Sequence, residues 1–187
     1  MIGKKNIVFG FIYLVFTAAL GPYMIQFLMP DIGPAAQTKK QNVGYIEQLA
    51  GGGFDNPETL EPLTGAEIAK ANTKAILSLN TLENAQMPVE EMKSGPHAHG
   101  NLEAVLNIIA GLTLCFLAAP VMVKQLISWL FIAGALLHSG MLYLRVFDVA
   151  FANKLLFLGP WFVLAALLVL GISAAIWLRP AVVDDKA

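Results

Sequence analysis

The sequence predicts an all-α integral membrane protein, a bundle of four transmembrane helices with a partly helical extramembrane cap between the first and second spans. The chain is 57% hydrophobic and only 13% charged, an apolar excess that a water-soluble domain could not bury. Four apolar stretches reach the roughly 20 residues that a helix needs to cross a hydrocarbon core about 30 Å thick. The long segment between the first two stretches is polar and holds most of the acidic residues.

Charge, proline or glycine bounds each of the four predicted spans, which are residues 7–29, 102–123, 126–147 and 155–178. The corresponding regions are a first transmembrane helix at 1–29, an outer-face cap at 30–98, helices two to four at 99–180 and a cytoplasmic tail at 181–187. Short breaks separate the last three spans, so they should run antiparallel to one another.

Lysine and arginine residues beside the spans predict the orientation of the bundle, because short cytoplasmic loops carry an excess of them. One side of the predicted bundle has Lys4, Lys5, Lys124, Arg179 and Lys186, and the other has only Arg145 and Lys154. Both termini are therefore predicted to be cytoplasmic, and the cap to lie on the outer, periplasmic-type face.

The cap contains a helix-start motif. Thr64 and Glu67 have the spacing of a capping box, in which the hydroxyl and the carboxylate bind backbone amides at a helix N-terminus. A helix over about 65–79 should follow, and the glycines at 51–53 and the segment 55–57 should form a loop before it.

Ionisable residues within spans are costly and usually face the bundle interior. His99, Glu103 and Asn107 recur every four residues, so they share one helix face, and His138, Met141, Arg145 and Asp148 share another. A rise of about 1.5 Å per residue places both sets in the outer half of the bundle. We expect Glu103 to pair there with Arg145, because an ion pair reduces the cost of two buried charges. The first span offers the same pocket Tyr13, Thr17, Tyr23 and Gln26.

Three interpretations of this cluster are open. Interhelical hydrogen bonds alone would lock the packing of the helices. A metal site would use His97 and His99 with His138 or Met141, since imidazoles and thioethers suit copper or zinc. A haem site would use an imidazole as axial ligand within apolar walls. The net charge is −1 and no basic stripe is present, which excludes a nucleic-acid partner. Cys115 is the only cysteine, so no disulfide within the chain is possible.

The segment Leu102-Glu103-Ala104-Val105-Leu106-Asn107 resembles the start of the second helix in the styrene oxide isomerase and hydroxylaminobenzene mutase families of small four-span membrane proteins. The likeness extends through Lys124-Gln125, which would be a lysine-bearing turn, and into span three. It does not cover residues 30 to about 92.

The resemblance implies a trimer of four-helix protomers that holds haem b near the subunit interfaces. It also implies a redox-neutral isomerisation, in which ferric haem acts as a Lewis acid on a small oxygen-containing substrate. Asn107 matches the asparagine that helps to position this substrate, and Glu103 would line the same side as a second catalytic residue. Asn101 stands where the families have their haem-ligating histidine.

His99 would replace that ligand only if residues 96–100 are not helical, and His138 is the alternative. Arg145 would pair with Glu103 or with a haem propionate. Two other function classes are a copper- or zinc-binding membrane protein, and a non-catalytic accessory subunit whose cap docks on a larger membrane complex.

Overall fold

The computed structural model describes residues 1–183, and these residues form helices and loops with only isolated β-bridges. The α-helices of this part of the chain are α1 (Gly3–Ala18), α2 (Leu20–Tyr23), α3 (Ile32–Gly51), α4 (Gly65–Met92), α5 (Ala98–Cys115), α6 (Val121–Leu137), α7 (Ser139–Val146), α8 (Ala152–Leu155) and α9 (Leu158–Trp177). The predicted all-α class is confirmed. Lys186 and the end of the predicted cytoplasmic tail lie outside the described residues.

Three helical runs are long and apolar enough to cross a membrane, Gly3–Gly51, Val121–Val146 and Ala152–Trp177. They contain the predicted first span and all but the last residue of the predicted third and fourth spans. Helix α5 corresponds to the predicted second span, and its polar first half lowers its hydropathy. The first helix does not end at residue 29 as predicted, because a π-helical turn at Met24–Leu28 and a 3₁₀ turn at Met29–Asp31 continue it into α3.

The boundary between the predicted second and third spans is also wrong. Helix α5 ends at Cys115, and Pro120 has an extended backbone just before α6 begins. Lys124 and Gln125 are therefore the fourth and fifth residues of α6 and do not lie in a turn between helices. Hydropathy gave no sign of this break, because residues 116–119 are as apolar as the helices around them. Backbone hydrogen bonds join this connection to the end of α9, from Ala118 N to Trp177 O (2.8 Å) and from Arg179 N to Phe116 O (2.9 Å).

The chain divides into two compact units, Tyr23–Glu90 and the remainder. In the larger unit α1 packs along α5, and α6 packs along α9 and also contacts α5. Glycines permit the close approach of α1 to α5. A Cβ atom on Gly10 would lie 2.6 Å from the Ala104 carbonyl oxygen, and one on Gly111 would lie 2.6 Å from the Gly3 carbonyl oxygen. The apolar core lies between α5, α6 and α9 and includes Leu114, Ile127, Phe131 and Ala166.

The smaller unit contains α3, a loop and α4. The predicted capping box is present, with Thr64 N donating to Glu67 Oε2 (2.8 Å) and Glu67 N donating to Thr64 Oγ1 (3.3 Å). The predicted loop at 51–57 is also present, because α3 ends at Gly51. Helix α4 is longer than predicted and reaches Met92 with Pro88 inside it.

Candidate functional site

The carboxylate of Glu103 is the centre of a buried polar cluster in the larger unit. The Glu103 side chain is only 5% exposed, and its Oε1 lies 2.6 Å from Nδ1 of His138. Its Oε2 accepts hydrogen bonds from the Ser139 hydroxyl and from the Ser139 amide (3.3 Å). Three donors from the α6–α7 junction therefore hold one carboxylate of α5, which reduces the cost of its burial.

Tyr13 extends this cluster to α1. Its hydroxyl lies 2.8 Å from Ser139 Oγ and also reaches the carbonyl oxygen of Ala135 at 3.3 Å. A continuous hydrogen-bonded chain thus runs from Tyr13 through Ser139 and Glu103 to His138. We call these four residues the Glu103 cluster.

A second polar tier lies nearer to the N-terminus of α1. Asn6 Nδ2 donates to Asn107 Oδ1 (3.0 Å) and to the Ser128 carbonyl oxygen (3.1 Å), and the Ser128 hydroxyl donates to Asn6 Oδ1. Asn107 Nδ2 donates to the carbonyl oxygens of Glu103 (3.0 Å) and Phe131 (3.2 Å). Asn6, Asn107 and Ser128 are all fully buried, so these amides fasten α1, α5 and α6 together.

A third tier lies on the other side of the Glu103 cluster. The Thr17 hydroxyl donates to Asn101 Oδ1 (2.8 Å), and Nδ1 of His97 lies 2.9 Å from the Thr17 carbonyl oxygen. Gly100 makes room for this contact, because a Cβ atom there would lie 2.8 Å from Thr17 Cβ. Asn101 therefore binds α1.

The three histidines do not converge. His97 turns toward α1, whereas the rings of His99 and His138 pack with their centroids 4.7 Å apart and their planes tilted by 56°. Within residues 1–183 no group of three or more His, Cys, Asp or Glu side chains could hold a metal ion. His99 also lies inside α5, after a π-helical turn at Lys93–His97. The unwound segment that would let His99 take the place of the families' histidine is therefore not present.

The expected ion pair between Glu103 and Arg145 is not formed. Glu103 binds the α6–α7 junction instead, and Arg145 is an exposed residue beside a small cleft of about 140 Å³. The helical register explains this result. The helix breaks at His138, whose φ of −102° and ψ of −88° are not helical, and it ends before Asp148, whose φ is +57°. The spacing of these residues therefore does not describe one continuous face.

An apolar groove of about 540 Å³ lies beside the cluster and is lined by Tyr13, Phe16, Thr17, Leu136, Gly140, Met141, Tyr143 and Leu144. Tyr13 and Thr17 thus reach both the groove and the polar tiers, as predicted for the first span. Tyr23 and Gln26, the other two candidates, belong to the smaller unit.

Sequence reasoning missed Asn6, Ser128 and Ser139, which are all buried. Asn6 resembles the polar flank that precedes a span, and single serines within apolar runs give no periodic signal. The available sign was the seven-residue interval from Asn6 to Tyr13, which places both side chains on the face that carries Thr17.

Comparison of the chain with protein-family models, with curated proteins and with solved structures finds no match.

Proposed function

We propose that this chain is an integral membrane protein with four crossing helices, both termini on the cytoplasmic side, and a b-type haem bound near His138. Helix α5, the span with the least apolar sequence, supports the four crossings. Its polar residues Glu103 and Asn107 point inward, whereas Leu102, Ile109 and Leu112 are about half exposed. Its 18 residues extend for about 27 Å, close to the thickness of a hydrocarbon core.

The observation that carries the haem proposal is the hydrogen bond between Glu103 and Nδ1 of His138. A histidine that binds a metal almost always donates its other ring N–H to a carboxylate or a carbonyl. A proton held on Nδ1 leaves the lone pair on Nε2, the atom that would coordinate iron. Nε2 of His138 makes no hydrogen bond within residues 1–183. The donor set at His138 therefore fits an axial haem ligand.

The spacing of the two rings favours one axial imidazole over two. A metal–imidazole bond is about 2.0 Å and the ring centroid lies about 1.1 Å behind the nitrogen, so imidazoles on opposite sides of one iron have centroids about 6 Å apart. The observed separation of His99 and His138 is 4.7 Å. We therefore assign His138 as the ligand and His99 as its neighbour.

The exposure of these rings supports a cofactor site between copies of the chain. His99 is exposed, and the side chain of His138 is 18% exposed. Ionisable groups are costly on a lipid-facing surface, so a bound macrocycle or a second protomer would cover them. The trimer implied by the resemblance would place the haem at such a surface, where the guanidinium of Arg145 is the proposed partner of a propionate.

The activity that we propose is a redox-neutral isomerisation of a small oxygen-containing substrate, and it rests on the resemblance of α5. A haem held by His138 would supply a Lewis-acidic iron for the substrate oxygen. Glu103 keeps the proton of His138 on Nδ1, and Ser139 and Tyr13 keep the carboxylate in place. Glu103 and Asn107 act here as positioning residues.

One copper or zinc ion shared by His99 and His138 is the second candidate. Two imidazoles at a tetrahedral angle on one ion have centroids about 5 Å apart, near the observed 4.7 Å.

The test is an absorption spectrum and a metal analysis of the detergent-purified protein, expressed with added haem precursor. We expect a Soret band that is lost in His138→Ala and kept in His99→Ala and in the control His97→Ala. Copper or zinc without a Soret band, lost in both His99→Ala and His138→Ala, would replace haem by the second candidate. Neither haem nor metal in the wild type would leave interhelical packing as the role of the cluster. Conversion of an aryl epoxide to its aldehyde without a redox cofactor tests the isomerase activity.

Membrane orientation has a separate test. A Cys115→Ala protein with one new cysteine at Lys4 or at Asn80 is treated in intact spheroplasts with an impermeant maleimide. We expect labelling at position 80 only, and position 4 should react after permeabilisation. The reverse pattern would contradict the proposed orientation.

A further inference from the structure

The position of His138 is not set by a regular helix. Helix α6 ends one residue before it and α7 begins one residue after it. The His138 amide still donates to the Gly134 carbonyl oxygen, and its carbonyl oxygen accepts from the Leu142 amide, both at 2.9 Å. These two bonds hold the amide and the carbonyl group of His138 on either side of the break. Because His138 lies at a break, a neighbouring element that packs against its backbone also bears on where the imidazole lies.

That neighbour is the first turn of α9, at Gly159. Gly159 is buried, and a Cβ atom on it would lie 2.5 Å from both Cα and Cβ of His138 and closer still to the His138 amide nitrogen. These are main-chain and Cβ atoms, which cannot rotate away as the end of a long side chain can. An ordinary contact begins at 3.4 Å, so a methyl group here requires a displacement of about 1 Å in a close-packed interior.

We propose that Gly159 is a positioning residue for the His138–Glu103 pair. The absence of a side chain lets α9 lie directly on the backbone of His138, and this contact keeps Nδ1 within hydrogen-bond distance of the carboxylate. A displacement of about 1 Å would lengthen the 2.6 Å contact beyond the range of a hydrogen bond. The role of Gly159 in ligand binding rests on the function proposed above, whereas its effect on the hydrogen bond does not.

The chain offers two matched controls. Gly171 lies on the same helix, α9, and a Cβ atom there would meet no atom within 4 Å. Gly134 lies at the same contact between α6 and α9, but a Cβ atom there would meet Val163, at 2.7 Å from Cγ2 and 3.0 Å from the amide nitrogen. The methyl group of Gly134→Ala therefore crowds the same pair of helices but meets Val163 rather than His138.

The experiment compares Gly159→Ala, Gly134→Ala and Gly171→Ala in the full-length protein labelled with ¹⁵N-histidine. The chain has only three histidines, so His97→Ala and His99→Ala suffice to assign the His138 resonances. We expect the hydrogen-bonded Nδ1–H signal of His138 to be lost in Gly159→Ala and kept in both controls. Haem retention through purification should fall at least tenfold in Gly159→Ala alone.

Each other result is decisive. An unchanged His138 signal in Gly159→Ala would overturn the proposal, and so would an equal loss in Gly134→Ala. A Gly159→Ala protein that does not fold beside a folded Gly134→Ala protein would make Gly159 a folding residue, which also overturns it. If the wild type binds no haem, the proposed cofactor fails, and the resonance of His138 still decides the role of Gly159.

Discussion

Replacement of Glu103 by alanine tests the pairing that organises the site. The change removes the acceptor of three hydrogen bonds, from His138 Nδ1, the Ser139 hydroxyl and the Ser139 amide. Interhelical hydrogen bonds in membrane proteins contribute about 0.6 kcal/mol on average and up to about 1.7 kcal/mol. The three together therefore predict a loss of about 2 to 5 kcal/mol in the free energy of unfolding.

The assay is reversible unfolding in mixed micelles of dodecyl maltoside and dodecyl sulfate, followed by circular dichroism. Glu83→Ala, which changes an exposed carboxylate of α4, is the control and should alter stability by less than about 0.5 kcal/mol.

A double-mutant cycle identifies the partner of Glu103. We expect a coupling energy of about 0.5 to 3 kcal/mol between Glu103→Ala and His138→Ala, because the two side chains are in contact. Coupling between Glu103→Ala and Arg145→Ala should lie within about 0.5 kcal/mol of zero. A larger coupling to Arg145 than to His138 would refute the pairing seen in the structure and restore the ion pair that the sequence predicted.

Three further predictions concern other elements. Gly10→Ala should destabilise the protein by about 1 to 3 kcal/mol in the same unfolding assay, because the added methyl group overpacks against Ala104 and Ile108. The control is Gly44→Ala, which should be neutral or stabilising because a Cβ atom there meets nothing within 4 Å. Equal effects of the two changes would contradict the close approach of α1 to α5. Asn6→Ala should destabilise the protein, because it removes the Asn6 side chain that Asn107 and Ser128 bind. The control Asn80→Ala changes an exposed residue of α4 and should destabilise the protein less. Thermal unfolding of both variants checks this order. The hydrogen bonds from Thr64 lower the pKa of Glu67 below its ordinary 4.5. The Glu67 carboxylate therefore stabilises the α4 N-terminus fully above pH 4.5, and this stabilisation is lost as the pH falls through the lowered pKa. A ¹³C NMR titration measures the pKa of the Glu67 carboxyl group, and the same pKa in Thr64→Ala as in the wild type would contradict the prediction.

Much of the fold could be predicted from local patterns. Apolar runs located most of the long helices, and the Thr64–Glu67 spacing located the start of α4. A four-residue interval also placed Glu103 and Asn107 correctly on the buried face of α5, whereas His99, the third residue of that series, is exposed. These predictions succeeded because the helical repeat and the capping interactions depend on residues only a few positions apart.

The partners of these residues could not be predicted in the same way. Whether Glu103 meets Arg145 or His138 depends on the break in the helix at His138, and that break packs against Gly159 on another helix. The extension of the first helix past Pro30 was missed for a related reason, because a π-helical turn and a 3₁₀ turn accommodate the proline without ending the helix. Spacing within one segment gives no information about such distant contacts.

The buried positions of α1 have a consequence for motion in this protein. Gly3, Gly10 and Thr17 are buried at seven-residue intervals, and such a repeat alone would let one helix slide past its neighbour by about 10 Å, the rise of seven residues, and pack again. Asn6, Tyr13 and Thr17 each meet a different partner, so a slide by one heptad would leave several polar groups unsatisfied at once. Helix α1 is therefore fixed in one register on α5. Any conformational change of the larger unit that keeps its polar tiers paired must move these two helices together as one rigid body.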